Sequence, residues 1–469
     1  MPDRPDDLFI ENHPFDELTV GQSASLSHTV TQRDIDLFAT VTGDVNPAHV
    51  DPAFAAHDMF HHVIIQGMWG AGLISATLGT KLPGPGTIYL GQDLRFTHPI
   101  TIGDTVTASV TLIEKKPAKG DVVLRCLCTN QDGREVITGT AYARAPTEKV
   151  RVRRVTLPEV RVERHDRSRT MIARAAAGTP LPCAVVCPVD KVSLLGALSA
   201  ASAGLIVPTL IGSAARIRQA ANDAGADISG LPLIDVEHDS EAAARAVALA
   251  RTGRVALLMK GDIHTAELMH EVVATGTGLR TAKRISHVYL MDVPEYPRPL
   301  IVTDAAINVT PDLADKAAIV QNAIDLAHVI GIEQPRVAVL AAIETVNDRM
   351  RSTIDAAALC KMADRGQITG GLLDGPLAFD NAINEAAAAE KGIVSQVAGR
   401  ADILLVPDLE AGNMLAKQLT FMAGAEAAGL VLGARVPIIL TSRADSAETR
   451  LASCALAVLV ARSNPAIPA

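Results

Sequence analysis

The sequence predicts an α+β domain over residues 1–145 and then a two-lobed α/β domain, three-layered on a mainly parallel sheet, over residues 169–469. Three observations lead there. Before residue 145 the strand-like runs alternate apolar and polar residues around a single apolar helix. After residue 168, short continuous apolar runs alternate with Ala-rich helical segments. Between them, Arg144–Arg169, "RAPTEKVRVRRVTLPEVRVERHDRSR", is dense in Arg and sets off a basic linker at 146–168.

In the first region, "TIYLGQDLRF" (Thr87–Phe96) places Ile88, Leu90, Leu94 and Phe96 on one face at period two. "DTVTASVTLIEKK" does the same with Val106, Ala108, Val110 and Leu112. "DVVLRCLCTNQDGREVITGTAYARA" reads as two strands joined by a turn at Asp132-Gly133. "IIQGMWGAGLISATLGTKL" (Ile64–Leu82) is apolar on nearly every side, as a helix buried against a curved sheet would be.

In the second region, "VALLMKG", "HVYLMDV", "PLIVTDAAI", "VAVLAAI", "ADILLVPD" and "PIILTS" are strands buried on both faces. "DSEAAARAVALAR" and "FDNAINEAAAAEKG" are among the helices between them. About 300 residues of this pattern imply two lobes. The Arg-rich seam reads either as a solvated linker or as a positive surface near a polyanionic ligand.

Composition narrows the function classes. The chain of 469 residues is 48% hydrophobic with a net charge of −9, so nucleic acid is not expected as its main partner. Its six cysteines lie in apolar runs without zinc-type spacing, so reduced thiols and a cytoplasmic location are expected, with no metal. The first residues, "MPDRPDDLFIENHPFDEL", are acidic and broken by Pro, unlike a signal peptide. No apolar run approaches the roughly 20 residues of a membrane span.

One short run concentrates chemistry. In "TGDVNPAHVDPAF", Asn46-Pro47 restricts the backbone between Asp44 and His49, and Asp51-Pro52 reads as an N-cap followed by Pro at the first helical position. Asp44 and His49 are thus expected on a stiff loop, either as parts of a capped turn or as an acid/base pair. His57, His61 and His62 lack a carboxylate at helical spacing and read as a wet helix end.

The string "TGDVNPAHVDPAFA…IIQGMWGAGLIS…LPGPGTIYLGQDLRF…PITIGDTVTA" resembles the R-specific enoyl-CoA hydratases, the MaoC-like branch of the hot-dog fold, over about residues 15–145. That resemblance implies a curved sheet wrapped around one helix. It assigns Asp44 and His49 to deprotonating the water and returning the proton, with Asn46 in support. It also gives a backbone N–H at Gly67 to the thioester oxygen. Ser75 matches a serine that supports the pocket, although a serine bonding its own helix fits equally. Gln66 stands where the family often has His.

The second region has no Gly-x-Gly-x-x-Gly after a strand and no Walker loop, which weakens dehydrogenase and kinase readings. Polar clusters follow its strands instead: Lys260 to Thr265, Asp374-Gly375-Pro376, Gly412-Asn413 and Thr441-Ser442-Arg443. Together they point to one cleft at the strands' carboxyl ends. "MKGDIHT", "RISHVYLMDVP", "GGLLDGPLAFDNAI", "ADILLVPDLEAGNM" and "VPIILTSRADSAETR" resemble the phosphate acetyl/butyryltransferases, more the butyryl branch, over about 168–465.

This second resemblance implies lobe 1 at about 169–283 plus 444–469 and lobe 2 at about 284–443, with the active site between them. Arg443 would bind phosphate through its planar fork, and Ser442 would hydrogen-bond the sulfur of coenzyme A. His264, Thr265, Asp374, Asn413 and Glu448 are further cleft candidates. The two resemblances imply a bifunctional enzyme on acyl-CoA thioesters and phosphate, with no permanently bound cofactor, forming a homo-oligomer. The alternative is a hydratase fused to a non-catalytic, CoA-binding regulatory or assembly domain.

Overall fold

A computed structural model describes residues 8–155, 160, 166–441 and 445–464. The chain forms two compact units, residues 1–162 and 163–469.

Unit 1 begins with β1 (Phe9–Glu11), β2 (Ser23–Thr29) and α1 (Gln32–Thr42). Two single-turn helices follow, α2 (Pro47–Val50) and α3 (Pro52–Ala55), then the long α4 (Gly67–Thr80). Strands β3 (Ile88–Phe96), β4 (Thr105–Lys116), β5 (Asp121–Thr129) and β6 (Glu135–Arg144) complete a five-stranded antiparallel sheet in the order β2-β4-β5-β6-β3. In β4, Val106, Ala108, Val110 and Leu112 are all buried, as the alternation predicts. They meet Ile74 and Leu78 of α4 in one core. Gly70 is required there, because a Cβ would lie 2.3 Å from the Ile137 side chain.

Strand β3 departs from the expected pattern. A bulge between Tyr89 and Gly91 shifts its register against β6, so the inward face switches along the strand. Tyr89 and Leu94 pack on the core, whereas Ile88, Leu90 and Phe96 are exposed. A strict period of two cannot reveal an inserted residue. Part of the Arg-rich seam also has structure: β7 (Arg151–Arg153) pairs antiparallel with β1.

Unit 2 opens with α5 (Asp166–Ala176), β8 (Leu181–Val186), α6 (Lys191–Ser202), β9 (Ile206–Gly212), α7 (Ala214–Ala224) and β10 (Leu233–Asp235). Next come α8 (Asp239–Arg251), β11 (Leu257–Lys260), α9 (Thr265–Val273), β12 (Ser286–Asp292) and β13 (Leu300–Thr303). Helix α10 (Leu313–Val329), β14 (Arg336–Leu340), α11 (Arg351–Asp364) and β15 (Leu372–Leu377) follow. The chain continues through α12 (Phe379–Ile383), α13 (Glu385–Glu390), β16 (Ile403–Leu405) and α14 (Leu409–Met422), then β17 (Glu426–Leu432), β18 (Ile438–Ile439) and α15 (Ala447–Ser463).

All eleven strands form one sheet, ordered β10-β9-β8-β11-β18-β17-β12-β13-β16-β14-β15. Both flanks are parallel, and only the contacts of β17 with β18 and of β12 with β17 and β13 are antiparallel. The strands are largely apolar, as in a parallel sheet buried on both faces. Two cores result, a large one around β8, β11 and α15 and a smaller one around Leu300, Val302, Leu377 and Leu404. Helix α15 packs on α5, α6 and β17. Strand β18, in the stretch expected for lobe 2, pairs with β11.

Candidate functional site

Each unit carries its own candidate site. In unit 1, a capping box between Thr31 and Asp34 starts α1, and Gly43 ends it at φ 75°, a left-handed backbone that suits glycine. The turn that follows is built from side-chain-to-backbone bonds. The Asp44 carboxylate accepts from Asn46 N–H at 3.3 Å, and the Asn46 side chain accepts from Ala48 N–H at 3.2 Å. Asn46 therefore caps α2, whose first residue is Pro47, and Asp51 caps α3 in the same way. His49 thus sits on a helical turn of its own rather than on the expected loop.

The His49 Nδ1 lies 2.8 Å from the Ile64 carbonyl oxygen. A carbonyl can only accept, so Nδ1 carries the proton and Nε2 of the neutral ring offers a lone pair. His49 and Gly67 line a cavity of about 270 Å³ with Phe60, Ile64, Ile65, Phe96, Thr97, His98, Pro99, Ile100 and Ile137. Gly67 is the first residue of α4, where backbone N–H groups have no partner within the helix. A Cβ on Gly67 would stand 3.1 Å from the Phe96 ring, so glycine lets that ring lie against the helix start.

Asp44 is half-buried and, like Asn46, joins this wall through the turn rather than by lining the cavity. Ser75 is exposed on α4 and lies outside the lining. Gln66 is buried with no hydrogen-bond partner for its side chain.

In unit 2 a second cavity, of about 230 Å³, opens where β8, β11 and β18 end. Asp190, Val192, Ser193, Lys260, Gly261, Asp262, Thr441 and Arg450 line it. The ends of β8 and β11 approach closely here: Gly261 N–H donates to Val186 O at 2.8 Å and Asp262 N–H to Cys187 O at 2.7 Å. A Cβ on Gly261 would lie 2.4 Å from that Cys187 oxygen, so only glycine fits. Cys187 itself is held at φ 52°, an uncommon backbone for a non-glycine residue.

The electrostatics of this cavity are mixed. Lys260 and Arg450 are both buried cations, 7% and 8% exposed. Arg450 projects from α15 and donates to the Thr441 hydroxyl at 3.0 Å. Gly196 on α6 leaves room for its stem, since a Cβ there would lie 3.0 Å from Arg450 Cδ. Asp190 caps α6, accepting from the N–H groups of Val192 and Ser193 and from the Ser193 hydroxyl. Burial opposes its ionisation, but the Ser193 and Val192 hydrogen bonds and the Arg450 charge hold its carboxyl below the usual range. The two anchored cations can attract an anion, while Asp190 and Asp262 offset part of their charge.

Ser442 and Arg443 lie outside the described residues, directly after Thr441 in the lining. The other cleft candidates scatter. His264 is exposed and precedes α9 without a capping hydrogen bond from its side chain, and Thr265 begins that helix. Glu448 is exposed in the first turn of α15. Asn413 donates to the Ala305 carbonyl at 3.2 Å. Asp374 lies on β15, seven strands from β11 and so about 34 Å across the sheet. None of the five lines the cavity.

Sequence reasoning named neither Asp190 nor Arg450, and it placed Lys260 in a cleft cluster without singling it out as a site residue. The available signals were a Lys ending an apolar strand before Gly-Asp, and an Arg inside an otherwise small and apolar helix. All six cysteines are free. Among the described residues, no group of three or more His, Cys, Asp or Glu could hold a metal ion, and no helix is long and apolar enough to cross a membrane.

Comparison with known proteins follows the same division. The family "Phosphate acetyl/butaryl transferase" matches residues 238–458, and "MaoC like domain" matches residues 17–126. A phosphate acetyltransferase from Rhizobium meliloti is 62% identical over 291 residues, covering 62% of this chain and 92% of that protein. The crystal structure of a branched-chain phosphotransacylase from Enterococcus faecalis matches with a TM-score of 0.54 at 28% identity, over 60% of this chain and 99% of its own. An R-hydratase from Pseudomonas aeruginosa is 44% identical over 33% of this chain and 99% of its own, with a TM-score of 0.32.

Proposed function

We propose two activities for this chain, which belongs to the phosphate acetyl/butyryltransferase family and carries a MaoC-like domain ahead of it. Unit 1 reversibly hydrates trans-2-enoyl-CoA to (R)-3-hydroxyacyl-CoA. Unit 2 transfers the acyl group of an acyl-CoA to phosphate, giving an acyl phosphate and CoA.

Hydration needs a base for water, a proton for C2 and a donor for the thioester oxygen. The Nε2 lone pair of His49 takes the water proton, helped by the Asp44 carboxylate, and the pair returns a proton to C2. The start of α4 at Gly67 faces the oxygen with free N–H groups, where the helix dipole favours developing negative charge. Asn46 holds the turn that aims the pair.

In unit 2 a phosphate oxygen attacks the thioester carbonyl, the C–S bond breaks, and CoA leaves as the thiolate. Lys260, Arg450 and Arg443 supply cations for phosphate and for the developing charge, and Ser442 hydrogen-bonds the leaving sulfur. Neither activity draws on a permanently bound cofactor. The protein is proposed to act in the cytoplasm as a homo-oligomer.

The observation that carries this reading is a pair of separate cavities, one joining an imidazole to a helix start and the other holding two buried cations. The buried cations favour an active unit 2 over a silent CoA-binding module. The test follows loss of the enoyl group from crotonyl-CoA, and release of free thiol from acyl-CoAs of graded chain length with phosphate. Both reactions are expected. Thiol release that is absent, or independent of phosphate, for every acyl-CoA would leave only the hydratase.

A further inference from the structure

The unit 1 cavity holds a second imidazole. His98 follows β3 and lines the same cavity as His49. Its Nδ1 lies 2.8 Å from the Glu135 carbonyl oxygen, the same anchoring that His49 has on Ile64. The neutral His98 ring is therefore fixed as the tautomer whose Nε2 is an acceptor. The segment itself is stiff. The Thr97 hydroxyl donates to that Glu135 carbonyl at 2.7 Å, and Pro99 restricts the backbone of His98.

The two histidines differ in depth. His49 is half-buried, whereas His98 is exposed at the rim. The inner wall between them and the core is apolar, formed by the buried Ile65, Ile100 and Ile137. An acyl chain seated on that wall places its thioester beside His49 and Gly67. The rest of the thioester must then leave past the rim, and its first hydrogen-bond donors are the amide N–H groups of the pantetheine arm.

We propose that His98 binds this arm, its Nε2 accepting a hydrogen bond from a pantetheine amide. The proposal rests on unit 1 being an enoyl-thioester hydratase. Its test compares wild type, His98→Ala and His98→Gln on crotonyl-CoA and on the crotonyl thioester of ethanethiol, which has no amide. Losing one hydrogen bond of about 1 kcal/mol raises KM for crotonyl-CoA about fivefold. The value of kcat, and kcat/KM on the ethanethiol thioester, should stay unchanged. His98→Gln, whose side-chain oxygen can reach the same donor, should recover most of the loss.

A fall in kcat, equal losses on both substrates, or no change at all would each overturn the assignment. Wild type that hydrates neither thioester would remove the hydratase reading itself, and the role of His98 with it.

Discussion

The two candidate sites are assembled in opposite ways. In unit 1 the chemistry is local: Asp44, Asn46 and His49 lie within one turn-and-helix segment, two of its own side-chain-to-backbone bonds shape it, and the Ile64 carbonyl anchors the His49 ring. In unit 2 the cavity draws Asp190, Lys260 and the Thr441–Arg450 stretch from three regions far apart in the chain, and the meeting of β8, β11 and β18 brings them together. A local site tolerates changes elsewhere in its domain. A site made by strand order depends on the whole sheet.

The largest effect that could break this comparison is a crossed loss of activity. Asp44→Asn should lower hydration by roughly 10²–10⁴-fold, the range of an acid/base contribution, and leave phosphate-dependent CoA release unchanged. Lys260→Gln should lower CoA release by roughly 10²-fold or more and leave hydration unchanged. Steady-state rates of both reactions for each variant check this. A loss of both activities in either variant would mean that the sites are not independent.

A smaller effect sharpens the contrast through stability. His287 in unit 2 is fully buried, neither ring nitrogen has a partner, and its ring meets Tyr289 edge-on at 4.5 Å. Burial pushes its pKa down to about 4, against the opposing pull of the Asp304 charge. The unfolded chain therefore binds a proton at higher pH than the folded one, so stability is intact above about pH 6.5 and falls as pH drops towards 4. His287→Phe removes the titrating group without breaking a hydrogen bond. It should melt near wild type at pH 8 and several degrees above it at pH 5. Equal melting of the two proteins at pH 5 would refute this role for His287.

These differences also explain what was legible in the sequence. The turn structure of the Asp44–His49 run could be read because Asn46-Pro47 and Asp51-Pro52 carry their capping chemistry within a few positions. Both fold classes were legible for a similar reason, since strand and helix periodicities are short-range. The bulge in β3 was not, because one inserted residue reverses a face without changing composition. Arg450 was not either. Nothing around it in α15 shows that Gly196 of another helix opens a space for its stem, or that Thr441 receives its head. The clusters read as one cleft misled for the same reason. Each follows a strand, but Asp374 ends up at the far edge of the sheet from Lys260.

We propose that one chain holds two independent acyl-CoA sites. This is tested most directly by measuring both reactions on one preparation of His49→Ala. Crotonyl-CoA hydration should be lost while phosphate-dependent release of CoA proceeds at the wild-type rate. Hydration persisting at the wild-type rate, or CoA release falling with it, would contradict the claim.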